Sequence, residues 1–206
     1  MTRTIRLMMG GAALISVAAL TPLAAQDRAN DVRQEIRHEL LQLPYYSVFD
    51  FLAFKYDKGT VDLMGYAYAP NLKQDAERAI KRVAGVDMVN NRVEQLPPSR
   101  QDDELRWKVY YAIYTDPFLS KYAPGGGMLW GHRHNFTGGF DGLWQGMEPA
   151  GDYPIHIIVR GGRVTLMGVV DDEGDKNLAN QKARQVPGSF QVTNDLIVVR
   201  DSGSNN

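Results

Sequence analysis

The sequence predicts an α+β protein built from two tandem αββαβ units, each a small three-stranded mixed sheet with two helices on one face. Three observations carry that prediction. Gly59-Thr60-Val61-Asp62-Leu63-Met64-Gly65 returns as Gly162-Arg163-Val164-Thr165-Leu166-Met167-Gly168, an offset of 103 residues. The register then holds without insertion, pairing Ala76 with Ala179, Val83 with Val186, Gly85 with Gly188, Val89 with Val192 and Asn91 with Asn194. Within each copy the hydrophobic period passes from helical to alternating and back in the same order, which marks duplicated domains rather than a solenoid.

At the start of the chain, Arg3 and Arg6 precede an uncharged run from Leu7 that ends in Leu23-Ala24-Ala25. A basic start, a short apolar stretch and small residues describe a secretory signal over residues 1–25, with cleavage expected after Ala25. Without Arg3 and Arg6 the chain holds 21 Lys and Arg against 24 Asp and Glu, a formal charge of −3. That balance argues against a nucleic-acid partner, which needs a basic footprint. Cysteine is absent, so neither a lipoprotein anchor nor a disulfide is available. Export without disulfides points to the periplasm.

The first unit is expected over residues 27–96. Asp31 with Gln34 reads as a capping box, Val32, Ile36, Leu40 and Leu43 recur at helical spacing, and Pro44 ends the helix. Leu52, Phe54 and Tyr56 alternate with Ala53, Lys55 and Asp57, a strand that Asp57-Lys58-Gly59 turns into a hairpin with Val61, Leu63 and Gly65. Asn71 precedes a helix whose Leu72, Ala76, Ala79, Ile80 and Val83 share one face, and Gly85 sits where a helix C′ residue needs positive φ. A third strand over 86–96 must run parallel to the second, because a helix crossover joins them.

Residues 97–100 form a short stiff linker with Pro97-Pro98, and the second unit is expected over 101–200. Ser99 with Asp102 caps its first helix, where Leu105, Val109 and Ile113 match Val32, Ile36 and Leu40 at an offset of 73. The change of offset from 73 to 103 measures a 30-residue Gly-rich, aromatic loop at 120–149. The 201–206 tail is polar and expected to be disordered.

These residues resemble the BON domain, named for bacterial osmotically inducible and nodulation proteins. The resemblance rests on Gly-x-Val-x-Leu-x-Gly, the following helix and the Val-x-Asn strand, in both copies. It implies an exported protein without catalytic residues, associated with phospholipid binding, envelope stress or attachment to a larger envelope component.

One helix breaks the symmetry of the copies. Trp107, Tyr110, Tyr111 and Tyr114 stand at i, i+3, i+4 and i+7, opposite Leu105, Val109 and Ile113, where the first copy has Gln34, Arg37, His38 and Leu41. Two apolar stripes on one helix mean that something covers the second: the loop, the other domain, or a membrane surface or envelope protein. With Trp130 and Trp144 of the loop, these four residues are the candidate lipid- or partner-binding site, flanked by Arg106, Lys108, Lys121 and Arg133. The function expected is binding of a phospholipid surface in support of envelope integrity or stress response. The alternative is a protein-interaction module that anchors an envelope complex.

Other clusters carry structural readings. His132-Arg133-His134, with Asp141 and Glu148, lacks the spacing of a metal site, so no metal or cofactor is expected. Asp171-Asp172-Glu173 stands where a helix begins and favours its dipole. His38 and His156 have no nucleophile constellation near them and read as surface and strand residues. No acid–base pair is legible, so an enzyme is not expected.

Overall fold

The computed structural model describes residues 21–123, 148–150 and 154–198. The leader up to residue 20, Trp130, Trp144, the His132–His134 cluster and the tail lie outside them. In chain order the elements are α1 (Thr21–Leu41), β1 (Phe51–Asp57), β2 (Thr60–Ala67), α2 (Leu72–Ile80), β3 (Met88–Gln95) and α3 (Arg100–Tyr114). After a 3-10 turn (Ser120–Tyr122) come β4 (Glu148–Ala150), β5 (Ile155–Arg160), β6 (Arg163–Val170), α4 (Glu173–Arg184) and β7 (Gln191–Val198). The expected pair of αββαβ units is present.

Each hairpin closes on a two-residue turn with positive φ at both positions, 46° and 86° at Lys58 and Gly59, 58° and 72° at Gly161 and Gly162. That is the mirror turn whose twist suits antiparallel strands. Its register pairs Leu52 with Gly65 and Ile155 with Gly168. At Gly65, φ is +146° and an added Cβ would lie 1.9 Å from the Phe51 carbonyl oxygen, so the repeated glycine is required by close backbone approach. β3 and β7 run parallel to β2 and β6, as the helix crossovers demand.

Alternation sorts the side chains to two faces. Leu52, Phe54, Val61 and Leu63 pack with Val32, Ile36, Leu40, Leu72, Ala76 and Ile80 beneath the helices of the first unit. Ile155, Ile157, Val159, Val164 and Leu166 do the same with Leu105, Val109, Ile113, Ala179 and Ala183. The intervening residues face away from the helices: Phe51, Ala53, Leu96, Ile158 and Met167 form one buried cluster shared by both sheets. The sheets therefore pack back to back, with a helical layer on each outer side.

Three features depart from the sequence expectation. The first helix does not begin at Asp31: α1 runs from Thr21, so Asp31 and Gln34 lie inside it and the expected cleavage point after Ala25 falls within its span. Ala, Gln and Arg dominate residues 24–29 and favour helix, and a capping box marks a start only where the chain before it is not already helical. Asn71 occupies the N-cap of α2 in a left-handed conformation but gives no side-chain cap bond. The first sheet also has a fourth strand, in the order β3-β2-β1-β4, because β4 pairs antiparallel with Leu52, Ala53 and Phe54.

That fourth strand is one half of an exchange. Ala150, which precedes the second unit's sheet, is fully buried in the first unit's core. Val48 and Phe49, which precede the first unit's sheet, are buried in the second unit's core. The outer edges of β1 and β5 are covered accordingly. Tyr46 Oη accepts from Leu52 N–H and donates to the Ala150 carbonyl, while Arg33 donates to the Tyr56 carbonyl. On β5, Tyr114 Oη donates to the Ile155 carbonyl, Ile157 N–H to the Val48 carbonyl at 2.8 Å, and Arg106 to the Val159 carbonyl at 2.6 Å. Backbone groups that would leave a sheet edge open to pairing are thus used within the chain.

Candidate functional site

The aromatic helix α3 lies against this seam. Ser99 caps it by accepting from Asp102 N–H at 3.2 Å, as expected. Asp102 itself, buried, bridges the β5–β6 turn by accepting from Gly161 and Gly162 N–H, both at 2.8 Å. Leu105, Val109 and Ile113 enter the core of the second unit. The other stripe divides in two. Arg106, Tyr110 and Tyr114, four residues apart, turn toward the seam, whereas Trp107 and Tyr111 face outward.

Arg106 is not a flanking surface cation. Its side chain is 1% exposed, pairs with Asp103, donates to the Val159 carbonyl and lies over the Tyr68 ring, 4.4 Å from the centroid. A guanidinium can be buried there because an acid, a carbonyl and a π face replace much of its hydration. Arg33 in the first copy donates to Asn30 and to the Tyr56 carbonyl, so the device belongs to the repeat. Lys121 is likewise occupied, 2.6 Å from Asp175 and 3.2 Å from Asp171, and these carboxylates raise its pKa. Lys108 remains exposed.

Tyr114 is 5% exposed and bonded to Ile155, so it is interior rather than part of a surface. Tyr110 is partly buried, 4.9 Å from the Tyr114 ring and 6.1 Å from that of Phe49. Phe49 also meets Trp107 edge-on at 5.0 Å and Tyr68 at 5.9 Å. The first unit, through Phe49 and Tyr68, therefore covers much of the second stripe. Trp107 and Tyr111 stay 50% and 58% exposed, and Phe118 beyond the helix is 73% exposed. Of the six candidate residues, α3 brings four together, presents two of them outward, and Trp130 and Trp144 lie outside the described residues.

Beside the helix, Asp50 is fully buried and accepts from Ser47, Tyr68 and Ala69. Desolvation raises its pKa in spite of these donors. His156, expected on a strand, is on β5 and buried, its Nδ1 against the Asp50 carbonyl. Asp172 caps α4 by accepting from Asp175 N–H at 2.9 Å, which accounts for the acidic run there. Among the described residues no group of three or more His, Asp and Glu could hold a metal ion, and no helix is long and apolar enough to cross a membrane.

The profile of the BON domain matches residues 29–97 and 149–200, more than half the chain. The chain belongs to the BON domain family. In both of its BON units the repeated asparagine has a structural task. Asn91 donates to the Lys73 carbonyl and Asn194 to the Lys176 carbonyl, each at 2.9 Å, tying the last strand to its helix. The Asn91 and Asn194 oxygens then accept from Val93 and Leu196 N–H. The residues that define the BON repeat thus build the fold, and the aromatic rim of α3 is peculiar to the second copy.

No curated protein matches the chain. Two solved structures of CdsD, titled a structural protein of the type III secretion system of Chlamydia trachomatis, align with it at 12% identity and a TM-score of 0.27. One, the C-terminal domain, covers 82% of this chain and 98% of that chain; the other covers 84% and 94%. At that TM-score the likeness carries no argument about arrangement or activity.

Proposed function

We propose that the protein is a non-enzymatic, exported envelope protein whose second BON domain binds the surface of a phospholipid membrane and so supports envelope integrity or stress response. The observation that supports the reading is the pair Trp107 and Tyr111: both are half-exposed on a helix held from its other sides by the second unit's core and by Phe49 and Tyr68. Amphipathic rings with a nearby cation, here Lys108, suit the headgroup region. Burying the exposed half of each ring would contribute about 2–3 kcal/mol gross. Tyr110 and Tyr114 act by fixing the helix, and Trp130 and Trp144 would extend the contact. The linkage of BON domains to phospholipid binding supports the assignment, and a periplasmic location fits the leader read from Arg3 to Ala25.

Co-sedimentation with anionic liposomes tests it. Trp107→Ser with Tyr111→Ser should lose most of the bound fraction while melting as the parent does. Undiminished binding by a folded double variant would reject the face. A large drop in melting temperature would instead mark the two rings as packing.

A further inference from the structure

The two copies differ a second time, in the furrow between their paired helices. In the first copy Arg82, just past α2, reaches across to Glu39 of α1 at 3.5 Å. Repeat register places Gln185 and Ala112 at those positions in the second copy, and these cannot form the bridge. It also matches Glu35 of α1 with Lys108 of α3. The result is a groove of about 600 Å³ between α3, the 115–117 turn and the end of α4. Among its lining residues Ala112 and Val186 are the more buried apolar ones, beside the buried Asp116, while Pro117, Pro187, Tyr111 and Lys108 are exposed.

Its electrostatics are reversed as well. Glu35, Glu39 and Arg82 sum to one negative charge in the first copy, whereas Lys108, Lys182 and Asp116 sum to one positive charge in the second. Lys182 is already matched, its Nζ 2.7 Å from Asp116, which also caps Phe118 and Leu119 N–H. Lys108 makes no ion pair among the described residues. The excess charge therefore sits on exposed Lys108, in a groove that Ala112 and Val186 also line.

We propose that this groove docks an extended peptide segment of a protein partner, in which a carboxylate side chain meets Lys108 and an adjacent apolar side chain fills the space over Ala112 and Val186. The volume lies in the range that takes one to a few side chains. A single unpaired cation in a groove with apolar lining residues selects an acidic–apolar segment over a basic one. The lining prolines supply no N–H, and Thr115 Oγ1 already donates to the Tyr111 carbonyl, so side-chain chemistry rather than strand pairing would set the preference. Trp107, half-exposed on the outward ridge of α3, does not line the groove. The groove thus differs from the proposed membrane face in lacking Trp107, while Tyr111 and Lys108 border both.

The test uses the full chain, labelled with ¹⁵N, and two capped hexapeptides, one alternating Glu and Leu, the other Lys and Leu. The Glu-Leu peptide should shift the Ala112, Thr115 and Val186 amide signals saturably, and the Lys-Leu peptide should not. Ala112→Glu with Gln185→Arg, which restores the first copy's bridge, should weaken binding at least about tenfold while leaving liposome binding intact. Lys108→Glu should reverse the preference between peptides. Absence of saturable shifts with the Glu-Leu peptide, or equal affinity in the bridged variant, would overturn the proposal. So would anionic liposomes shifting these amides where the peptide does not, since the groove would then be a lipid site. Loss of liposome binding by Trp107→Ser alone, with peptide binding kept, would separate the two surfaces.

Discussion

Phe49→Ala offers the sharpest test of the seam, because the residue belongs to the first unit by sequence and to the second unit's core by position. Phe49 is 5% exposed and contacts the Tyr68, Trp107 and Tyr110 rings. Truncating a buried Phe to Ala costs about 3–5 kcal/mol, the spread reflecting how far the surroundings collapse into the space. Here Trp107 is half-exposed and free to follow, which favours the lower end, about 3 kcal/mol. For a chain of this length each kcal/mol moves Tm by about 2–4 °C, so a fall of about 6–12 °C is expected by calorimetry. The decisive readout is amide hydrogen exchange. Protection should drop along Leu105–Ile113 in the second unit, and the parent protein should melt in one transition. Two independent parent transitions, or a variant whose exchange rises only around residue 49, would refute the claim that the units share cores.

Further expectations concern the repeat and its charges. Arg106→Ala should cost about 1–3 kcal/mol in urea denaturation, since it leaves the buried Val159 carbonyl without its partner while Asp103, 41% exposed, falls back on water, and Arg33→Ala at the more open equivalent site should cost about 1 kcal/mol. Ala29 stands where the second copy has Asp102, and the Lys58-Gly59 turn has the same backbone shape as Gly161-Gly162. Ala29→Asp should therefore stabilise by about 1 kcal/mol above pH 5, a gain that thermal melts at falling pH should show disappearing as the carboxylate protonates. Asp50 has the opposite sign. Its folded pKa is raised above the ordinary 3.8, so its contribution is fullest below that value and declines as pH rises through the folded pKa. Removing the charge in Asp50→Asn should flatten that decline in stability measured across pH 4–7, whatever the change in absolute stability from exchanging acceptors for a donor.

How far the sequence revealed this depended on whether a feature was local. Val61, Leu63, Val164 and Leu166 announce their sheet face by alternation, and Val32, Ile36 and Leu40 their helix face by spacing, because both periods are set within one element. The parallel third strands follow from the length of the crossovers. The division of the aromatic stripe does not: Trp107, Tyr110, Tyr111 and Tyr114 look like one face on a wheel, and only the position of the first unit separates Tyr110 and Tyr114 from the other two. The burial of Arg106 was hidden for the same reason, although its recurrence at Arg33, together with Asn30 and Asp103, was a signal present in the repeat itself. β4 could not be read at all, since three residues at the end of a long insertion carry no period, and their partner lies in the other copy.

The exchange of core residues also bears on synthesis. Bonds across the seam join residues 104 and 106 positions apart, Tyr46 to Ala150 and the His156 ring to the Asp50 carbonyl. A chain emerging from its N-terminus therefore makes the first copy's helices and hairpin long before Ala150 exists to fill its core and cover its edge. Closing so long a loop adds only modest entropy per doubling of length, but it delays the contact, and non-local contacts of this kind slow folding. Through that interval the outer edge of β1 lacks β4, and an uncovered edge is a template for pairing with a neighbouring nascent chain. Arg33 and Tyr46, both encoded ahead of the strand they guard, can engage Tyr56 and Leu52 as soon as these appear. They would serve as temporary caps, holding the first half in a condition from which the second half can still complete it.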